Sequence, residues 1–144
     1  MNARETRENI VAFGHENIHA IHPSTLMFTK ERNLSITGDC IAAVAANKAG
    51  VELSETFKER LKMPNAKLTI IIEIDGLTEE INASGSPKLI LTHPTDLVIR
   101  KSDYVSDRTL AIHADKSSND LPRELIEKLK DPKQKVNITL IIRS

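Results

Sequence analysis

Two histidines in this sequence precede proline, at His22-Pro23 and His93-Pro94, and two lysines follow a side-chain amide or carboxylate, at Asn47-Lys48 and Asp115-Lys116. Imidazole, carboxylate and ammonium groups brought together can hold an anion or exchange protons near neutral pH. The second set is the richer one, because Asp96 stands three residues beyond His93 and Asp115 precedes its lysine. His93, Asp96 and His22 are therefore candidate acid–base groups, and Lys116, Asp115, Lys48 and Asn47 are candidate anion ligands. The fuller set predicts that Lys116 carries more of the binding than Lys48.

A second group joins Arg100-Lys101 to Asp107-Arg108. Arg100, Lys101 and Arg108 would form a fork for phosphate or carboxylate, with Asp107 orienting the guanidinium. The plainer reading is a ladder of cross-strand ion pairs. Cys40 is either a nucleophile or, more simply, a small buried side chain at a strand start. His15, His19 and His22 are spaced four, then three apart. Positions four apart on a strand lie about 13 Å from one another, too far to share a zinc ion, so no metal site is assigned. A metal joining His22 to His93 lacks a recognised ligand spacing. Nothing in the sequence names a cofactor.

The elements that position these groups follow from an internal repeat. At an offset of 71, Glu8, Ile10, Ala12, Gly14, His22, Pro23, Leu26 and Lys30 recur as Glu79, Ile81, Ala83, Gly85, His93, Pro94, Leu97 and Lys101. At an offset of 68, Asp39, Ala43, Ala46, Lys48, Leu53, Glu59, Leu61, Lys62, Pro64, Lys67, Ile70 and Ile74 recur up to Ile142. The offset changes in a polar loop, Glu31–Gly38 against Ser102–Ser106. We read an internal duplication, residues 8–74 and 79–142, within one domain spanning 1–144 and joined by a hairpin at 75–78.

Each copy predicts the same order. A first strand covers Glu8–Ala12 or Glu79–Ala83, and after Gly14 or Gly85 a second covers Ile18–Ile21 or Leu89–Thr92. The His-Pro step leads into a third, Leu26–Thr29 or Leu97–Arg100. A fourth, Ile41–Ala45 or Leu110–Ala114, precedes a helix at Ser54–Lys62 or Pro122–Lys130, whose leucine and phenylalanine stripe recurs every four residues. Pro64 or Pro132 ends it. The fifth strand, Leu68–Ile74 or Val136–Ile142, is almost continuously isoleucine and suits a central position covered on both faces. Asp75-Gly76 predicts a tight hairpin. The fold class expected is α+β, a βββ-β-α-β unit twice over, with about ten strands and two helices in a pseudo-two-fold sheet or barrel. Strands three and four are expected to pair antiparallel, which would bring His22 to Lys48 and His93 to Lys116. Strands four and five, if they share a sheet, would be parallel.

Composition narrows the function classes. The 144 residues carry 20 Lys+Arg and 20 Asp+Glu, one cysteine, no tryptophan and four aromatic side chains. Zero net charge and few aromatics disfavour RNA and other nucleic acid. No apolar run reaches the length of a membrane span, and a single cysteine forms no internal disulfide, so a cytoplasmic protein without a membrane partner is expected.

The runs Gly14-His15-Glu16-Asn17, Thr37-Gly38-Asp39-Cys40-Ile41, Thr92-His93-Pro94-Thr95-Asp96, Arg100-Lys101-Ser102-Asp103-Tyr104, Asp107-Arg108-Thr109 and Ala114-Asp115-Lys116 resemble an uncharacterised archaeal family, domain of unknown function 371. The resemblance spans essentially the whole chain, and Thr92–Lys116 is its specific part. It implies an archaeal, intracellular source and a set of polar motif residues at His15, His22, Asp39, Cys40, His93, Asp96, Arg100, Lys101, Asp107, Arg108, Asp115 and Lys116. It implies no reaction. The leading functional expectation is a protein that binds a phosphorylated or carboxylated ligand through Lys and Arg at strand ends, with a nucleotide or RNA backbone among the candidates and the RNA version disfavoured by charge and composition. The alternatives are a small hydrolase or isomerase using His, Asp and Lys as acid–base groups, and a structural subunit of a homo-oligomer.

Overall fold

The computed structural model describes residues 5–35 and 37–143, so that Ile36 in the Glu31–Gly38 loop lies outside it. The protein is α+β, with eight strands in two four-stranded sheets and two short helices. In chain order the elements are β1 Glu5–Phe13, β2 Thr25–Thr29, β3 Ile41–Ala43, α1 Glu55–Leu61, β4 Lys67–Ile74, β5 Leu77–Ser84, β6 Asp96–Arg100, β7 Thr109–Ala111, α2 Arg123–Leu129 and β8 Lys135–Arg143. A 3-10 turn precedes each helix, at Gly50–Glu52 and Ser118–Asp120. The order of the first half recurs in the second.

The first sheet runs β1-β8-β4-β5 and is antiparallel throughout. The second runs β3-β2-β6-β7, antiparallel between β2 and β6 but parallel at both outer pairs. Each sheet thus takes two strands from either half of the chain: in the first the halves alternate and meet at every pair, and in the second they meet only at the central pair, β2 with β6. Single bridges, Phe13 with Val44 and Ser84 with Ile112, tie the sheets together at two corners. The described residues form no closed barrel.

Between the sheets the inward residues make one core. Leu68, Ile70, Ile72 and Ile74 of β4 meet Val136, Ile138, Leu140 and Ile142 of β8, all at most 2% exposed. The helices lay Leu53, Phe57 and Leu61, and Leu121, Leu125 and Leu129, on this core as the four-residue spacing requires. Ser54 caps α1 by accepting the Phe57 N–H, whereas Pro122 stands in its place before α2. Asp75 and Gly76 form the expected two-residue hairpin, both with positive φ, 44° and 84°.

Four expectations need correction. The segments Ile18–Ile21 and Leu89–Thr92 are irregular, which leaves eight strands instead of ten. Their alternating burial imitates a strand, but Ala20 and Leu91 take φ of 50° and 58°, and a left-handed residue breaks extended pairing. The fourth strands end early, at Ala43 and Ala111, because Ala45 and His113 are also left-handed, at 54° and 52°. Their pairing with the third strands is parallel instead of antiparallel, and β3 and β4 lie in different sheets, so no crossover within one sheet exists. Finally, β4 and β8 are central but only partly covered on their second face: Lys67, Glu73, Lys135, Asn137 and Arg143 are exposed there, whereas the neighbouring pair Thr69 and Ile141 is buried, at 6% and 2%.

Candidate functional site

The parallel pairing decides which polar residues meet. In a parallel pair the two strands begin at the same end, so Asp96 at the start of β6 lies beside Arg108, just before β7, and not beside Lys116 beyond its end. Ala114 N donates to Arg100 O, which puts Asp115 and Lys116 at the far end from His93 and Asp96. The expected cluster of His93, Asp96, Asp115 and Lys116 is therefore split, as is that of His22, Asn47 and Lys48. Because β2 and β6 are antiparallel, His22 and His93 stand at opposite ends of the sheet, which also removes the metal bridge between them.

Each separated group has a structural occupation. His22 Nδ1 accepts the N–H groups of Ser24 and Thr25, and His93 Nδ1 accepts those of Thr95 and Asp96, so both imidazoles brace the turn into the following strand with the proton on Nε2. Asn47 exchanges hydrogen bonds with the Val11 backbone, and Asp115 does the same with Asn82. Beside them Lys48 reaches Glu8 at 2.8 Å and Lys116 reaches Glu79 at 2.7 Å. These pairs occupy the free backbone groups on the outer edges of β1 and β5, which would otherwise be open to pairing with another chain. Burial alone would raise the Glu8 carboxyl, but Lys48 and the Ser54 N–H, 2.8 Å away, hold it below its ordinary value. The Glu79 carboxylate raises Lys116 in turn. Both lysines are thus already paired with a carboxylate.

The second sequence-derived group survives in altered form. Alternation and register place Thr25, Met27 and Thr29 of β2 with Arg100, Val98 and Asp96 of β6 on one face of the second sheet, while Leu26, Phe28, Leu97 and Ile99 face the core. At the outer strands Met27 N donates to Cys40 O and Val98 N to Arg108 O, both at 2.9 Å. Cys40, Thr25, Arg100 and Thr109 therefore form a row across the sheet, with Arg108, Asp96 and Thr29 behind it. Burial raises the Cys40 thiol despite a hydrogen bond with Thr25, which disfavours the thiolate a nucleophile needs.

Arg100 and Arg108 are held differently. Asp96, only 2% exposed, accepts from Arg108 Nη2 at 2.7 Å and from Thr29 Oγ1 at 2.8 Å. The residue that orients Arg108 is thus Asp96 and not Asp107, since no hairpin joins β6 to β7. Arg100 donates from Nε to Thr109 Oγ1 at 2.9 Å and from Nη2 to Ser106 Oγ at 3.2 Å, and its Cζ lies 4.9 Å from the centre of the Tyr104 ring. Among the described residues no carboxylate pairs with it, and its Nη1 has no hydrogen-bond partner. Burial, with the charge of Arg108 nearby, lowers its pKa from the ordinary arginine value. Lys101 leaves the fork for Asp120, 2.7 Å away, and with the Ser117 N–H it pulls that carboxyl down to about 2. Lys30 makes the equivalent pair with Glu52.

The hydroxyls of Ser106 and Thr109 and the ring of Tyr104 went unassigned from sequence. Tyr104 lay inside a motif run, but only the fold around Arg100 turns these residues toward one guanidinium. Among the described residues no group of His, Cys, Asp and Glu is arranged to hold a metal ion, and no helix is long and apolar enough to cross a membrane.

Comparison with known proteins gives a family without a reaction. The chain is 48% identical over 126 residues to an uncharacterized protein of Methanocaldococcus jannaschii, covering 87% of this chain and 92% of the relative. Residues 10–143 match the family described as domain of unknown function (DUF371), and this chain belongs to that family.

Proposed function

We propose that the protein binds a small phosphorylated or carboxylated anion at Arg100 and Arg108, on the outer face of the second sheet. The observation that carries the reading is Arg100. A partly buried guanidinium, fixed by two hydroxyls and an aromatic ring but lacking a carboxylate partner, is a charge left for an external anion. Arg108, half exposed although tied to Asp96, supplies a second positive group close enough to perturb the first. Lys48 and Lys116 drop out of the site because Glu8 and Glu79 already use them.

The acid–base alternative finds no support in its candidates. His93 spends its Nδ1 lone pair on backbone N–H groups, and Asp96 spends its charge on Arg108. The duplication is also inferred here. It is supported by matched contacts at equivalent positions, namely Lys48–Glu8 with Lys116–Glu79, Lys30–Glu52 with Lys101–Asp120, and Asn119 N–His22 O with Val51 N–His93 O. In this view one copy acquired charge where the other stayed neutral, since Asp96, Arg100 and Arg108 correspond to Thr25, Thr29 and Cys40.

Isothermal titration with inorganic phosphate, pyrophosphate and citrate tests the site. Arg100→Ala is expected to weaken binding by about 10- to 150-fold, equivalent to roughly 1.5–3 kcal/mol for a charge-assisted hydrogen bond. Lys116→Ala should leave it unchanged. Binding that depends on Lys116 and ignores Arg100 would refute the assignment.

A further inference from the structure

Tyr104 is 61% exposed, the most exposed of the large apolar and aromatic residues. Core packing does not account for it. Phe28 and Phe57 are buried at 1% and 0% and Phe13 is partly buried at a sheet corner, so among the described residues Tyr104 is the most exposed aromatic ring. One side of its ring rests over the Arg100 guanidinium, which leaves the other side open. An open aromatic face next to an uncompensated guanidinium matches a ligand that carries a planar ring and an anionic group together.

Resting on the anion site described above, we propose that the ligand is a nucleotide whose phosphate is taken by Arg100 and Arg108 while its base stacks on Tyr104. Stacking on an aromatic side chain tolerates any base and is strongest for the larger purines, so the expected class is a purine mononucleotide. The guanidinium, tyrosine ring and base would then lie in a stack of three, with the ribose carrying the phosphate back to the arginines. A free mononucleotide, unlike a long RNA, demands no extended basic track, which agrees with the zero net charge of the chain.

The sequence supplies its own reporter, because Tyr104 is the only tyrosine and tryptophan is absent. Intrinsic fluorescence and calorimetric titration should be compared for adenosine 5′-monophosphate, ribose 5-phosphate and inorganic phosphate. The expected result is quenching by the nucleotide and an affinity about tenfold or more above that for ribose 5-phosphate. Tyr104→Ala should erase that preference and Tyr104→Phe should keep it. Equal affinity for nucleotide and ribose 5-phosphate, lost in Arg100→Ala, would overturn the nucleotide assignment while sparing the anion site. A preference that survives in Tyr104→Ala would also overturn it. No binding of any of the three probes would overturn both.

Discussion

Removing Lys48 and removing Lys116 should not be equivalent, although the two occupy matched positions. Lys48→Ala strands the Glu8 carboxylate, 8% exposed, leaving it the N–H and side chain of Ser54 but no cation. Loss of a hydrogen bond between charged groups costs about 1.5–3 kcal/mol, and a stranded buried charge puts Lys48→Ala at the upper end, near 2–3 kcal/mol. Lys116→Ala strands Glu79, whose side chain is 16% exposed and can recruit water, so about 1 kcal/mol is expected. For a chain of this length 1 kcal/mol corresponds to roughly 2–4 °C. The expected drops in Tm are thus about 4–12 °C for Lys48→Ala and about 2–4 °C for Lys116→Ala, read by circular dichroism at pH 7. The acid limb gives a second readout. Because the Glu8 carboxyl is lowered in the folded protein, the unfolded chain binds more protons, and this contribution is complete above the ordinary glutamate range and lost as pH falls through the folded value. Wild type should therefore lose stability below about pH 5 more steeply than Lys48→Ala does. A larger loss from Lys116→Ala, or an unchanged Tm in both, would refute the edge-clamp role of these lysines.

Gly85→Ala should cost about 3 kcal/mol or more, since the new Cβ would sit 2.0 Å from Leu61 O at the end of α1, a backbone atom that cannot swing away. Gly76→Ala, open in space but at φ 84°, should cost only about 1 kcal/mol, and urea titration of the two separates clash from backbone strain. His113→Gly should raise stability by about 0.5–1 kcal/mol by relieving a left-handed residue whose exposed ring makes no hydrogen bond among the described residues, and an unchanged or lower urea midpoint would contradict this. Lys101→Ala should lift the Asp120 carboxyl from about 2 toward its ordinary value while the Ser117 N–H keeps it slightly low, as an NMR titration would report.

Local signals in the sequence determined the existence and type of most elements. The period-two strands at Glu8 and Glu79, the four-residue stripes of α1 and α2, and the Asp75-Gly76 hairpin each depend on neighbours within a turn or two, so they are legible without the fold. The register between the halves likewise pointed to Lys30 and Lys101, Lys48 and Lys116, and the two His-Pro steps as matched positions. Tertiary structure decided where those positions go. The direction of β3 against β2 is set by a loop that folds back along the sheet, and no residue within the strands encodes it. That direction parts His93 from Lys116 and joins Asp96 to Arg108. Backbone twist at Ala20 and Leu91 is equally hidden, because alternating burial looks the same whether the chain is extended or turned. Glu8 and Glu79 were visible as matched residues, but their claim on the lysines arises only when β1 and β5, at opposite edges of a sheet built from both halves, come against the chain that follows β3 and β7. The site proposed at Arg100 is the sharpest case. Its arginines stand in an evident run, while the lack of a carboxylate partner for Arg100 among the described residues, on which the proposal rests, is a property of surroundings that only the folded chain assembles.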